Sequence, residues 1–386
     1  MRNVTLIRGA RQLLTLRGPS GPRRGTDLRN LGIIQDGAIL IADGRIVEVG
    51  PSRRLENLAL ARDAREIDAS GCLVMPGFVD SNLHLLCGAI QELSPRGLET
   101  LALRTVEEAV LCGTTAMEAK SGLGLTEAGE LKILRVQREL RELPLTLVST
   151  FVAGSLPLEL AQRLLSAVRR RKLAEFTELR WEDGKYSAAQ VCRFLTQARG
   201  LGIGLKVTAG QQSHPDAIAM AIELGARSVN EVVKVTEREV TLLGSSQTIA
   251  MLAPTISFHH DARHAPARGL IDNGAALALA SGSYDECAPA DFAPSPHMQM
   301  TIALACRALN MTPAEAIAAA TINGAHAIGL AQHLGSLEAG KSADLLILGV
   351  RDYRELPYHL GVNLVNLVMI RGVVRVERSK VQWPIR

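Results

Sequence analysis

A chain of 386 residues is too long for one ordinary compact core and suits a barrel with a satellite domain. Apolar residues make up 47% and aromatics only 3%, the composition of an α/β enzyme built from Ala, Leu and Val. The net charge of +4 is scattered, and no apolar run reaches the ~20 residues of a membrane span, so neither nucleic acid nor a bilayer is an expected partner. The basic run Arg169-Arg-Arg-Lys172 reads as a solvated helix face. Six cysteines without a CxxC pair, and an amino terminus without a signal-like apolar core, fit a reduced, cytoplasmic setting.

In chain order, residues 4–7, 38–41 and 45–49 carry β-branched apolar side chains, and Ala42-Asp-Gly44 supplies a hairpin turn. Residues 18–29, rich in Gly, Pro and Arg, read as a flexible loop. Cys72-Leu-Val-Met75 then runs into Pro76-Gly77. That pair marks a junction, because proline donates nothing to a ladder and glycine tolerates unusual dihedrals. A second buried strand, Phe78-Val79-Asp80, ends in the polar tip Ser81-Asn-Leu-His84.

Beyond it, apolar residues recur at helical spacing over 130–140, 159–170, 188–198 and 216–224. Short strand candidates fall between and after them, at 114–118, 145–149, 204–207, 228–230, 249–252 and 275–279. Thr312-Pro-Ala-Glu315 combines a cap, a first-turn proline and a glutamate that reaches back. Strands resume at 345–348, 364–370 and 373–376. The prediction is an α/β fold. A (β/α)8 TIM-like barrel spans 76–334, and 1–75 with 335–386 form a small β-sandwich domain from both termini. Chemistry then belongs at the carboxyl ends of the barrel strands.

Met75-Pro-Gly-Phe-Val-Asp-Ser-Asn-Leu-His84 resembles the PGxxDxHxH signature of the amidohydrolase superfamily. Gly113-Thr-Thr-Ala-Met-Glu-Ala-Lys-Ser-Gly-Leu-Gly124 is similar to the GTTTxExKSGYG segment of the imidazolonepropionase family. Glu355-Leu-Pro-Tyr-His-Leu-Gly-Val-Asn363 and Ala265-Pro-Ala-Arg-Gly-Leu-Ile-Asp272 also resemble segments of that family, and the likeness spans nearly the whole chain. It implies a cyclic-amide hydrolase whose zinc or iron ion is held by the HxH pair, a histidine in a KxHADE strand and an aspartate in a TDFNP tip. Such an ion lowers the pKa of its bound water. At the matching positions this chain has Asn82 with His84 retained, Thr208 for the strand histidine, and Gln211 for the carboxylate that handles protons. Glu231 stands for a DHL-tip histidine, Ser281-Gly282 for Thr-Asp, and Ala153-Gly-Ser155 for a GAH loop. Leu123 replaces a substrate-contacting tyrosine, and Gln91 an arginine expected to grip a carboxylate.

Of the implied ligands only His84 remains, whereas a catalytic zinc takes about three protein ligands. The expectation is a pocket lined by Asn82, His84, Lys120, Thr208, Gln211, Glu231 and Gly282, with no cofactor. On this reading the chain is a small-molecule-binding or partner-supporting pseudoenzyme with a degenerate metal site, and the family's homodimer is left open. The alternative is a hydrolase of non-peptide C–N bonds. It would use a relocated metal drawn from His84, His259, His260 and Asp291, with Asp285 and Glu286 nearby, or metal-independent acid/base chemistry by Glu231 and Lys120. A His84–Glu231 pair would fill the vacated pocket. Lys120 would act as a Schiff-base or general-base residue, set against the commoner role of a protonated lysine beside Glu118. Cys87 reads first as a small core residue and second as a nucleophile.

Overall fold

The computed structural model describes residues 3–86, 92–122, 124–210, 213–259, 264–282, 296–378 and 380–382. The amino-terminal part supplies β1 (Val4–Leu14), β2 (Ile33–Ala42), β3 (Arg45–Pro51), β4 (Arg65–Asp68) and β5 (Leu73–Pro76). Eight parallel strands follow: β6 (Phe78–Asp80), β7 (Thr114–Lys120), β8 (Thr146–Val152), β9 (Phe176–Arg180), β10 (Gly204–Thr208), β11 (Ser228–Asn230), β12 (Ile249–Leu252) and β13 (Leu277–Leu279). They neighbour one another in chain order, the arrangement that strand–helix repetition dictates. Finally β14 (Leu345–Leu348), β15 (Val365–Ile370), β16 (Val373–Glu377) and β17 (Lys380–Val381) return to the first sheet. There β14 runs antiparallel to β5, with Leu345 opposite Pro76 and Leu348 opposite Leu73. Both ends of the chain thus complete one sheet, whose inward residues Ile7, Leu13, Ile39, Val74, Leu345 and Met369 share a core.

The passage from sheet to barrel depends on Gly77. A Cβ there would lie 2.2 Å from Thr115 Oγ1, so any larger residue would push β6 away from β7. Helices cover the barrel where the periodicity placed them, for example Glu127–Glu139, Leu158–Arg170 and Ala188–Gly200. The strand absent from the sequence reading is β9. Its Phe-Thr-Glu-Leu-Arg run carries charges that mask the buried pattern, yet the first four residues are buried.

Side chains help to close the barrel seam. Ser281, just after β13, donates its backbone N–H to Asp80 Oδ1 at 3.1 Å and its hydroxyl to Asp80 Oδ2. Ser81 donates to the Leu279 carbonyl at 3.3 Å, and Gly282 N–H to the Asn82 carbonyl at 3.1 Å.

Residues 18–29 are not the flexible loop that their composition suggested. Arg23 is buried, and its Nη2 donates to the Leu16 carbonyl at 2.6 Å. Its backbone N–H donates to Asn323 Oδ1 at 2.7 Å, and Asn323 Nδ2 donates back to the Arg23 carbonyl at 2.9 Å. Arg24 reaches the carboxyl end of the helix Glu237–Ser245, donating to the carbonyls of Gly244 (2.8 Å), Leu243 (3.3 Å) and Ser246, and to that of Gly274 (3.1 Å). A guanidinium there meets orphan carbonyls and the negative end of the helix dipole together. Arginine–carbonyl contacts, with Leu28 buried in the core, order this segment, and those polar contacts are why hydropathy misses it. Among the described residues no helix is long and apolar enough to cross a membrane.

Arg24→Ala removes these charged hydrogen bonds and should lower stability by about 2–3 kcal/mol in urea unfolding. A change within about 0.5 kcal/mol would show that the segment is not docked in solution.

Candidate active site at the carboxyl ends of the barrel strands

Several barrel strands carry polar or charged side chains at or near their carboxyl ends, and four of these side chains converge. Lys120 closes β7, Glu178 lies two residues from the end of β9, Thr208 closes β10 and Asn230 closes β11. All four are buried. Glu178 joins them. Its Oε2 lies 2.5 Å from Lys120 Nζ and accepts from Asn230 Nδ2 at 2.6 Å, while its Oε1 accepts from Thr208 Oγ1 at 2.5 Å. Burial alone would push the Glu178 carboxyl upward. The Lys120 ammonium, the Lys120 and Thr208 hydrogen bonds and the Lys206 charge together hold it down at about 2.

A second pair lies beside the first. Lys206 Nζ is 2.7 Å from Glu118 Oε1 and 4.8 Å from the centre of the Phe176 ring, and Thr150 donates to the same Glu118 oxygen. Burial lowers the Lys206 pKa, opposed by Glu118. The pairing corrects the sequence reading, which set Lys120 beside Glu118. The lysine of β7 pairs with the glutamate of β9, and the glutamate of β7 with the lysine of β10.

The helix Glu127–Glu139 fixes the β7 tip from outside. Gln137 Nε2 donates to the Lys120 carbonyl at 2.8 Å, and Glu130 accepts from Gly122 N–H (3.0 Å) and Gly124 N–H (2.6 Å). At the seam, Asp80 carries a carboxyl pushed from 3.8 to about 6, by burial first, against the hydrogen bonds from Ser281. His84 follows β6, and its pKa is lowered to about 3 by burial and then by the Lys120 charge, so it is neutral at physiological pH.

Glu231, just past β11, adopts φ +57°, a left-handed backbone that non-glycine residues rarely take outside constrained sites. It is about a third exposed and lies 3.8 Å from Arg180 Nη2 at the end of β9. A Cβ at Gly210 would stand 3.1 Å from Glu231 Oε2, so glycine there leaves the carboxylate room. Gly210 and Glu231 line a pocket of about 150 Å³ with Val232, Ala253, Pro254 and Ser257. The expected His84–Glu231 pair does not form. Glu231 pairs with Arg180, and the charges acting on His84 are those of Lys120, Glu178 and Arg180.

Other sequence candidates divide. Asn82, His84, Lys120, Thr208, Glu231 and Gly282 all belong to the strand-tip end of the barrel. Gly282 has φ +59°, and a Cβ there would lie 2.6 Å from Ile256 Cδ1, so this backbone does not accept an aspartate as it stands. His259 ends the short helix Pro254–His259 and is exposed. Among the described residues no three His, Cys, Asp or Glu side chains gather as a metal site, and two members of the relocated set, His260 and Asp291, lie outside those residues. Cys87, Gln91, Leu123, Gln211, His260, Asp285, Glu286 and Asp291 lie outside the described residues.

Sequence reasoning missed Glu178, the hub of the network, and Arg180, the partner of Glu231. Both sit on the unrecognised β9. The interval between the helices Leu158–Arg170 and Ala188–Gly200 is long enough for a strand and holds the buried residues Leu173, Phe176, Leu179 and Trp181. That spacing was the available signal. Trp181 and His214, stacked at 4.0 Å between ring centres beside this end of the barrel, were also passed over.

The profile of the Amidohydrolase family matches residues 73–375. Imidazolonepropionase of Symbiobacterium thermophilum is 38% identical, covering 99% of this chain and 100% of its own. Imidazolonepropionase of Geobacillus kaustophilus is 34% identical, covering 97% and 98% respectively. Among solved structures, an adenosine deaminase from Xanthomonas campestris with bound zinc aligns at TM-score 0.74 and 18% identity, over 98% of this chain and 94% of that one. An atrazine chlorohydrolase variant from Arthrobacter aurescens, with zinc and atraton, aligns at TM-score 0.74 and 17% identity, over 99% and 97%. At such identities these two structures speak for the fold alone. The near-full-length relatives overturn the pseudoenzyme expectation, because they carry the name of a hydrolytic enzyme at a third or more identity. The likeness runs along the entire chain and outweighs the differences at single positions.

Two measurements check the site's electrostatics. Lys206→Met leaves Glu118 buried without its cation and should cost about 3–5 kcal/mol, whereas Glu118→Gln with Lys206→Met should recover most of that; additive losses in urea unfolding would rule out the coupling. Asp80 has a higher pKa folded than unfolded, so its ionisation opposes folding. Its contribution is full below about pH 4 and falls by at most about 3 kcal/mol as pH rises through 6. Glu178, held low, acts in the opposite sense and only under acid. The difference in melting temperature between wild type and Asp80→Asn should therefore drift in favour of the variant from about pH 4 to 7, and a flat difference would contradict the assignment.

Proposed function

Because the chain belongs to the amidohydrolase family, we propose that it hydrolyses a non-peptide carbon–nitrogen bond in a small cyclic amide, the class of substrate named by its imidazolonepropionase relatives. The observation that carries this reading is the 38% identity over 99% of the chain. Among the described residues no three ligating side chains converge on a zinc or iron ion of the kind the family implies.

Hydrolysis of an amide needs a base for the attacking water, a cation or donor for the oxygen that becomes negative, and an acid for the departing nitrogen. Glu231 and Arg180 suit these tasks. Both are partly exposed at the barrel mouth, and Glu231 faces a pocket with apolar walls. Glu231 accepts a proton from water as its oxygen bonds to the ring carbonyl carbon. Arg180 meets the developing oxyanion. When the C–N bond breaks, the proton held by Glu231 passes to the ring nitrogen. His84 is neutral at physiological pH, and Glu178, fully engaged by Lys120, Thr208 and Asn230, takes no proton in these steps.

Purified protein should consume 4-imidazolone-5-propionate, followed by loss of its ring absorbance. Glu231→Gln should lower kcat by about 10²–10⁴-fold with little change in melting temperature. Turnover by wild type with an unchanged kcat in Glu231→Gln would remove Glu231 from the reaction. Absence of turnover in the wild type would refute the substrate class.

A further inference from the structure

Three consecutive strand ends form the floor of the pocket that Glu231 faces. Gly210 follows β10, Glu231 and Val233 follow β11, and Leu252 closes β12. The sides are Ala265 and the short helix Pro254–His259, through Ile256 and Ser257. Val233, Ala253, Ile256 and Ala265 are apolar yet only partly buried, so each keeps hydrocarbon surface that a ligand can cover.

Among the described lining residues Glu231 is the one ionisable side chain and Ser257 the one neutral polar side chain. Ser257 is 7% exposed, and its hydroxyl makes no hydrogen bond with a described residue. Hydroxyls so nearly buried rarely stay unmatched, which leaves this one to whatever enters the pocket. Arg180 faces Glu231 at 3.8 Å but stands outside the lining. A carboxylate placed here would lose water, meet a like charge at Glu231 and find no cation on the walls. An alkyl group would instead gain about fourfold in affinity for each methylene buried. A cavity of about 150 Å³ with such walls can hold benzene, so an arm of up to about six carbons fits.

We propose that this pocket receives the side arm of the cyclic amide, and that the preferred arm is uncharged: a short alkyl chain, or one ending in a hydroxyl that bonds to Ser257. The proposal rests on the reaction reading above, which sets the ring at Glu231. With the ring there, an uncharged substituent reaches the apolar walls, whereas a carboxylate-bearing arm is turned out to solvent at the mouth. 4-Imidazolone-5-propionate is then consumed, but as a poorer substrate than its uncharged isostere.

Calorimetric titration of the full chain with 2-pyrrolidinone and its 5-substituted forms tests the pocket without requiring turnover. Three isosteric arms are compared: 3-methylbutyl, 3-hydroxybutyl and 2-carboxyethyl. Each lactam with an uncharged arm should bind roughly tenfold more tightly than the carboxyethyl lactam and than bare 2-pyrrolidinone. Ala265→Leu, at a half-buried position, fills the pocket and should erase that advantage while bare 2-pyrrolidinone binds as before. Ser257→Ala should weaken the hydroxybutyl lactam by about threefold and spare the methylbutyl one. Should Ala265→Leu fail to fold, Ser257→Ala decides. Equal or tighter binding of the carboxyethyl lactam, no advantage of an uncharged arm over the bare ring, or unchanged affinities in a folded variant would overturn the proposal. Failure of the reaction reading looks different: the arms keep their order, yet no imidazolone is consumed.

Discussion

The carboxylate of Glu178 is the constraint on which the strand-tip end of this barrel depends. It gathers an ammonium from β7, a hydroxyl from β10 and an amide from β11, so four strand ends are registered by one side chain. Ladder hydrogen bonds alone tolerate sliding between parallel strands. A buried charge with three fixed partners does not, since moving any strand by one residue would leave an uncompensated ion in the interior. The neighbouring pair Lys206–Glu118 repeats the device one layer over, and Thr150 extends it to β8. Buried ion pairs of this kind add little net stability, and specifying register is the better-supported use.

That interior order leaves the mouth free to vary. Glu231 and Arg180 lie at the ends of strands whose depth is already fixed, so a left-handed backbone at Glu231 is held in place from below. The seam between β6 and β13 is handled in another way, by Asp80 gripping the chain after β13 through Ser281. The β/α barrel and its mouth are thus stabilised by two electrostatic arrangements of different kinds. One is a charged network kept ionised by mutual compensation. The other is a single buried carboxyl, gripped by Ser281 and pushed up to about 6 by burial.

Much of this architecture is legible in the chain. Period-two runs gave the terminal sheet, three-to-four periodicity gave the covering helices, and Pro76-Gly77 marked the crossing into the barrel, where the absence of a Cβ proves necessary. Short motifs located Asn82, His84, Lys120, Thr208, Glu231 and Gly282 at one end of the fold. What stayed hidden depends on partners far away in sequence. Phe176–Arg180 reads as polar because its glutamate and arginine find their counter-charges on other strands. Residues 18–29 read as loop because arginine–carbonyl bonds have no hydropathic signature. The crossed pairing of Lys120 with Glu178 and Lys206 with Glu118 is a property of barrel curvature, which adjacency along the chain cannot express. Substituted ligand positions were visible, but their meaning for activity was not, since the whole-chain likeness outweighs single positions.

The terminal sheet has an order of assembly written into it. β5 receives β1 on one side, but its other side is covered only by β14, after the entire barrel has been synthesised. Until then the newly made chain presents an apolar strand edge, Leu73 to Met75, with open backbone donors and acceptors. Ribosome-bound or prematurely terminated chains would carry that edge uncovered, a template for unwanted strand pairing. Late arrival of β14 thus makes this edge one of the last parts of the sheet to be closed.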